Sequence, residues 1–153
     1  MDRQISMNLS ENFTLEELIF SQTALRKNIP NNPNASQIDN LQELCIKVLQ
    51  PIRSYFKKPL IISSGFRSAE LCIAIGSKIT SQHTEGKASD FKVSSLTNTE
   101  VADWIINNIS SYDQLILEFG DDGWIHISYN GADNRNQNLK AFKEETKTKY
   151  IPY

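Results

Sequence analysis

Residues Ser81–Asp90 read SQHTEGKASD. One short segment therefore carries a histidine, His83, and further on an aspartate, Asp90, with Gly86 and Ala88 between them. The chain has 2 histidines in all, and the other, His126, stands in GWIHISY. At ordinary residue frequencies the pattern H-x-x-G-x-A-x-D arises by chance in a chain of this length about once in a thousand. ASDFKV reads as a strand and KITSQHTEGK as the loop that leads into it. His126 falls on a second strand, beside Trp124, Ile125 and Ile127. Placed as neighbours, the two strands set Asp90 and His126 on one side, and the loop brings His83 over them. Two imidazoles and a carboxylate drawn from separate elements form a zinc-binding donor set, and three protein ligands leave a position for water. Gly86 would let the loop turn tightly or approach the ion, and Ala88 would leave room beside it.

Length and composition bound the rest. The chain has 153 residues, which fits one domain spanning 1–153, with a core at about 10–142. Hydrophobic residues make up 39% and charged residues 22%, the balance of a soluble globular protein. A formal net charge of −2 without a basic run argues against a nucleic-acid partner. No stretch approaches the ~20 apolar residues of a membrane span, so no membrane insertion is expected. The start, MDRQISMNLSENF, is polar and lacks an apolar core segment, which implies cytoplasmic synthesis without a secretory signal. Cys45 and Cys72 lie in apolar helical patterns and read as buried thiols. A monomer is expected.

Periodicity places the remaining elements. NFTLEELIFSQTA reads as a helix, with Thr14 and Glu17 forming a capping box. Ser36 reads as the cap of a long helix whose apolar positions run from Ile38 to Ile52. PLIISSGF is a short buried strand, SAELCIAIG a helix stopped at Gly76, and NTEVADWIINNI an amphipathic helix. DQLILEFG and GWIHISY are strands of an antiparallel hairpin, and the charged segment after Phe142 reads as a solvated end. Helices first and strands later favour an α+β fold with a central antiparallel sheet and flanking helices.

With these motifs in place, the sequence resembles the zinc D-alanyl-D-alanine carboxypeptidases. Their relatives include bacteriophage L-alanyl-D-glutamate endopeptidases and vancomycin-resistance dipeptidases, and the hedgehog signalling domain shares the fold. The shared pattern is S-G-F/Y-R-S, then S-x-H-x-x-G-x-A-x-D, then W-x-H. Here these stand as SGFRS (Ser64–Ser68), SQHTEGKASD (Ser81–Asp90) and WIH (Trp124–His126). The resemblance extends over about residues 10–140 and includes an early FTLEEL helix typical of a phage-associated branch. It implies a hedgehog/DD-peptidase-like fold, Zn2+ held by His83, Asp90 and His126, and a peptidoglycan stem peptide as substrate. Arg67 matches an anchor for a substrate carboxylate or carbonyl, a task that suits the planar, always-charged guanidinium. Ser64 and Ser81 are expected to hold loops, Ser81 also to touch substrate, and Trp124 to line the cleft.

Hydrolysis needs a general base. Several members of the resembled family carry an acid three positions before the last histidine, where this chain has Gly123. Glu118, in the strand LILEF, is the first candidate, with Asp122 as runner-up and Asp121 third. The expected activity is a zinc metallopeptidase of the bacterial cell wall, either carboxypeptidase or endopeptidase, reaching the wall through phage lysis. Two alternatives come from other classes: a non-catalytic zinc-binding module of the same fold, and a phage virion component for wall attachment.

Overall fold

A computed structural model describes residues 7–153. Two short strands, β1 (Asn8–Ser10) and β2 (Phe13–Thr14), precede helices α1 (Leu15–Ile19) and α2 (Gln22–Lys27). A helical rod follows, made of α3 (Ala35–Leu44), a π-helical turn (Cys45–Leu49) and α4 (Gln50–Phe56). Next come β3 (Leu60–Ser64), α5 (Ala69–Ile75), a 3-10 turn (Gln82–Glu85) and β4 (Ala88–Val93). The chain continues through α6 (Asn98–Asn108), β5 (Gln114–Glu118), β6 (Trp124–Ser128), β7 (Gln137–Glu144) and β8 (Lys147–Pro152).

The main sheet has the order β3-β4-β6-β5-β7-β8. Its pairs are antiparallel except β5–β7, which run parallel. The parallel pair follows from the path of the chain. β6 ends beside the start of β5, and the connection crosses that end, where Asn136 N donates to Tyr112 O and Gln137 N to Asp113 O. β7 must then run in the direction of β5. The fold is thus α+β, with a largely antiparallel sheet and flanking helices.

Strand alternation divides the sheet into two faces. Phe91, Leu115, Leu117, Ile125 and Ile127 point to one side and are buried. They share a core with Val101, Ala102 and Ile105 of α6 and with Leu41, Leu44, Val48, Leu49 and Ile52 of the rod. Burying each such side chain is worth about 1.5–3 kcal/mol. Asp90, Ile116, Glu118, Trp124 and His126 alternate with these residues and lie on the opposite face.

The structure revises five local expectations. The first helical stretch breaks at Phe20–Ser21, because the Ser21 side chain accepts from Ala24 N and starts a new helix, α2. The Thr14–Glu17 capping box belongs to α1 alone. The rod is capped by Asn34 rather than Ser36: Asn34 Oδ1 accepts from Gln37 N, and Gln37 Oε1 accepts from Asn34 N, both at 2.8 Å. Within the rod, Gln50 N reaches back to Cys45 O. This π turn lies just ahead of Pro51, which has no N–H to continue the regular ladder. β3 lies at the edge of the sheet and alternates buried with exposed positions, so it is not buried throughout. Finally, the segment after Phe142 is not a loose end but part of the β7–β8 hairpin, paired from Leu139–Pro152 to Glu144–Lys147. Cys45 and Cys72 are buried free thiols, as expected.

Candidate active site

The register of β4 against β6 pairs Asp90 directly with His126. Asp90 Oδ1 lies 2.9 Å from His126 Nδ1 and 3.5 Å from His83 Nε2. One ligand atom from each of His83, Asp90 and His126 falls within 4.8 Å of the others. The three residues predicted to share an ion are therefore brought to one point from a turn and two adjacent strands.

His83 is fixed by its turn. Ser81 Oγ accepts from His83 N at 3.2 Å and caps the 3-10 turn, and Gly86 ends it with φ 74. A Cβ at position 86 would stand 2.4 Å from Gln37 O, so glycine here serves both the left-handed turn and close packing on α3. The glycine approaches α3, not the His83–Asp90–His126 cluster. Gln37 Nε2 donates to Thr84 O at 2.9 Å and ties the same turn to the start of α3. His83 Nδ1 lies 2.7 Å from Gly65 O, which assigns that nitrogen the proton and leaves the lone pair on Nε2, the nitrogen facing Asp90, able to hold a metal.

Arg67 is committed to the same cluster. Its Nη2 donates to Asp90 Oδ2 at 3.2 Å, Nε to Ser64 Oγ at 2.8 Å and Nη1 to Ser77 Oγ at 3.2 Å. Its first task is thus to orient Asp90, and it also lines the cleft with donors to spare. Burial pushes the Asp90 carboxyl pKa upward, but hydrogen bonds and charge from His126 and His83 outweigh it and hold the group well below the usual carboxylate range. Two imidazole nitrogens and one carboxylate oxygen, with His83 anchored on Gly65 O and Asp90 on Arg67, fit a zinc ion.

The cluster lies in a cleft of about 590 Å³, whose lining includes Arg67, Ser81, Gln114, Glu118, Trp124 and Tyr150. Glu118 is half-buried there, on the face of β5 that carries Ile116, whose register partner is His126. Burial raises the Glu118 pKa; the neighbouring His126 opposes the shift and Asp90 adds to it. The other two acids lie elsewhere. Asp121 Oδ1 accepts from Thr99 N and Thr99 Oγ at the start of α6. Asp122 is exposed and lines a separate depression with Phe119, Phe142 and Lys143. Position 123 has no room for a side chain: a Cβ there would stand 1.7 Å from Glu118 O.

Two residues of the site escape the sequence reading. Tyr150 lines the cleft from β8, where alternation in KTKYIP was the available signal. Asp113 is buried and accepts from Gln82 Nε2 at 2.8 Å, next in sequence to His83, and from Arg135 Nε and Nη2 at 2.9 Å. No local pattern marks that pairing.

Among the described residues, no helix is long and apolar enough to cross a membrane. A family model described as Peptidase M15 matches residues 11–128. No curated protein matches the chain. The match spans more than half of the chain and contains all of His83, Asp90 and His126, with Arg67 and Glu118. The chain belongs to the peptidase M15 family.

Proposed function

We propose that this peptidase is a zinc enzyme that hydrolyses peptide bonds in the stem peptides of bacterial peptidoglycan, as a D-alanyl-D-alanine carboxypeptidase or an L-alanyl-D-glutamate endopeptidase. The observation that carries the reading is the convergence of His83, Asp90 and His126 in a cleft that also holds a half-buried carboxylate, Glu118. His83 Nε2, an Asp90 oxygen and His126 Nδ1 would hold the ion. Bound zinc supplies Lewis acidity, acidifying water toward neutral pH and withdrawing electron density from a carbonyl.

The protein's own groups do the remaining work. Glu118 takes a proton from the attacking water, whose oxygen bonds to the scissile carbonyl carbon. Arg67, with donors left over after Ser64, Ser77 and Asp90, stabilises the negative charge that gathers on the carbonyl oxygen. Glu118 then passes its proton to the leaving amine as the C–N bond breaks, so the two products share the elements of one water molecule. Trp124 and Ser81 line the cleft in which the peptide lies. The location proposed with this activity is synthesis in the cytoplasm and release to the wall during phage lysis.

The test is digestion of purified sacculi by zinc-loaded protein, with the new amino and carboxyl termini identified by mass spectrometry. Released D-alanine marks the carboxypeptidase and a new D-glutamyl amino terminus marks the endopeptidase. Wild-type protein that binds zinc but frees no terminus from several wall chemotypes would leave the non-catalytic module as the correct reading.

A further inference from the structure

The cleft has a wall that lies outside the family match. The match ends at residue 128, whereas β7 and β8 span Gln137–Glu144 and Lys147–Pro152. The register across these strands is continuous. Glu118 of β5 pairs with Ala141 of β7, and Ala141 pairs with Tyr150 of β8. Glu118, Ala141 and Tyr150 therefore form one row on the same face of the sheet. Ala141 is small and buried, so nothing bulky separates the two longer side chains. Both Glu118 and Tyr150 line the cleft with the metal ligands.

Tyr150 is equipped to meet a ligand. It is 54% exposed and lines the cleft. Tyr112 and Tyr153 spend their hydroxyls on Asn138 and Asp103. Among the described residues the Tyr150 hydroxyl has no partner. Burial, then the nearby Glu118 carboxylate, push its pKa above the ordinary value, so the phenol keeps its proton. A protonated hydroxyl in the same cleft as the Glu118 carboxylate is a neutral donor open to a ligand.

We propose that Tyr150 is a substrate-contacting residue of this peptidase: its hydroxyl donates a hydrogen bond to a carbonyl or carboxylate oxygen of the bound peptide, and the β7–β8 hairpin forms one wall of the substrate cleft. This rests on the reading of the chain as a wall peptidase. The hairpin supplies a contact that the metal ligands, Arg67 and Glu118 do not. The peptide then lies in the cleft between the His83–Asp90–His126 cluster and the hairpin, with its scissile carbonyl at the cluster.

The experiment compares wild type with Tyr150→Phe, Tyr150→Ala and Ile151→Ala. Ile151 sits on the same strand but pairs with Lys140 and lines the depression on the other face, so it controls for damage to the hairpin. Steady-state kinetics use purified sacculi and the synthetic stem peptide L-Ala-D-Glu-L-Lys-D-Ala-D-Ala. Circular dichroism and zinc affinity by chelator competition accompany each variant. Tyr150→Phe should lower kcat/KM about 2- to 12-fold, the worth of one hydrogen bond. Tyr150→Ala should lower it further, mainly through KM, while Ile151→Ala matches wild type and all variants bind zinc equally. An active wild type with unchanged kcat/KM in both Tyr150 variants overturns the proposal and leaves the peptidase reading intact. Equal losses in Ile151→Ala and Tyr150→Phe also overturn it, since they would trace the effect to the strand. A wild type that cleaves neither substrate overturns both readings together.

Discussion

At the scale of single residues, the site separates the three residues that could hold a metal from the groups that orient them. Asp90 is shared between two imidazoles on one oxygen and Arg67 on the other. Lysine at position 67 would keep the charge but not the three-way fork that reaches Ser64, Ser77 and Asp90 together. Arg67→Lys should therefore weaken zinc binding about 10- to 100-fold, the usual effect of losing a ligand's anchor. Equilibrium dialysis against a zinc chelator reads this directly. Glu118 touches none of the three ligands in this way. Glu118→Gln should cut kcat by roughly 10²- to 10⁴-fold, the contribution of a general base, with zinc stoichiometry unchanged. A Glu118→Gln protein as active as wild type would remove Glu118 from the mechanism.

At the scale of elements, the β5–β6 hairpin explains why the acid stands on β5. Phe119 takes a left-handed conformation at φ 62, and the turn folds Gly123 against Glu118 O. The 1.7 Å approach excludes a side chain at the position where several members of the resembled family carry their acid. Gly123→Ala should destabilise the protein by about 2–3 kcal/mol through backbone displacement. For a chain of this size, that lowers Tm by roughly 5–10 °C in a thermal melt. The double variant Gly123→Asp, Glu118→Gln should not regain activity, because the new carboxylate arrives only with a distorted turn. The clustering of His83, Asp90 and His126, the hairpin and the Asp90–His126 pairing were legible in the sequence, since each rests on strand alternation and a short motif. The α1–α2 break and the Asn34 cap were not, because several neighbouring Ser, Thr and Asn side chains compete to cap and only tertiary packing chooses among them. The π turn was hidden for a similar reason: Pro51 inside an apolar helical pattern signals a disturbance but not its form.

At the scale of the whole molecule, segments distant in sequence meet at the turn that bears His83. The polar stretch after β6 looked uninformative because its partners are strands and carboxylates set by topology rather than by neighbours. Its Arg135 closes on Asp113, which also receives Gln82 from the turn bearing His83. One buried carboxylate thus joins the start of β5, the β6–β7 connection and the His83 turn. Hydrogen bonding from Arg135, then from Gln82 and the Arg135 backbone and charge, outweighs burial and lowers the Asp113 pKa. The folded value lies below the unfolded value of about 3.9, so the stabilisation is complete above that pH and is lost as pH falls through the folded value. Asparagine at 113 cannot accept both forks of the guanidinium. Because Arg135 lies half in water, the loss should be modest, about 1.5 kcal/mol at pH 7. Thermal melts of wild type and Asp113→Asn at pH 7, 5 and 3 test this. The variant should melt roughly 3–6 °C lower at pH 7 and at pH 5. The gap should narrow at pH 3, where wild type begins to protonate the same carboxyl. A gap that stays constant down to pH 3 would mean that the clamp acts through shape alone, and an absent gap at pH 7 would mean that Asp113 does not join these segments.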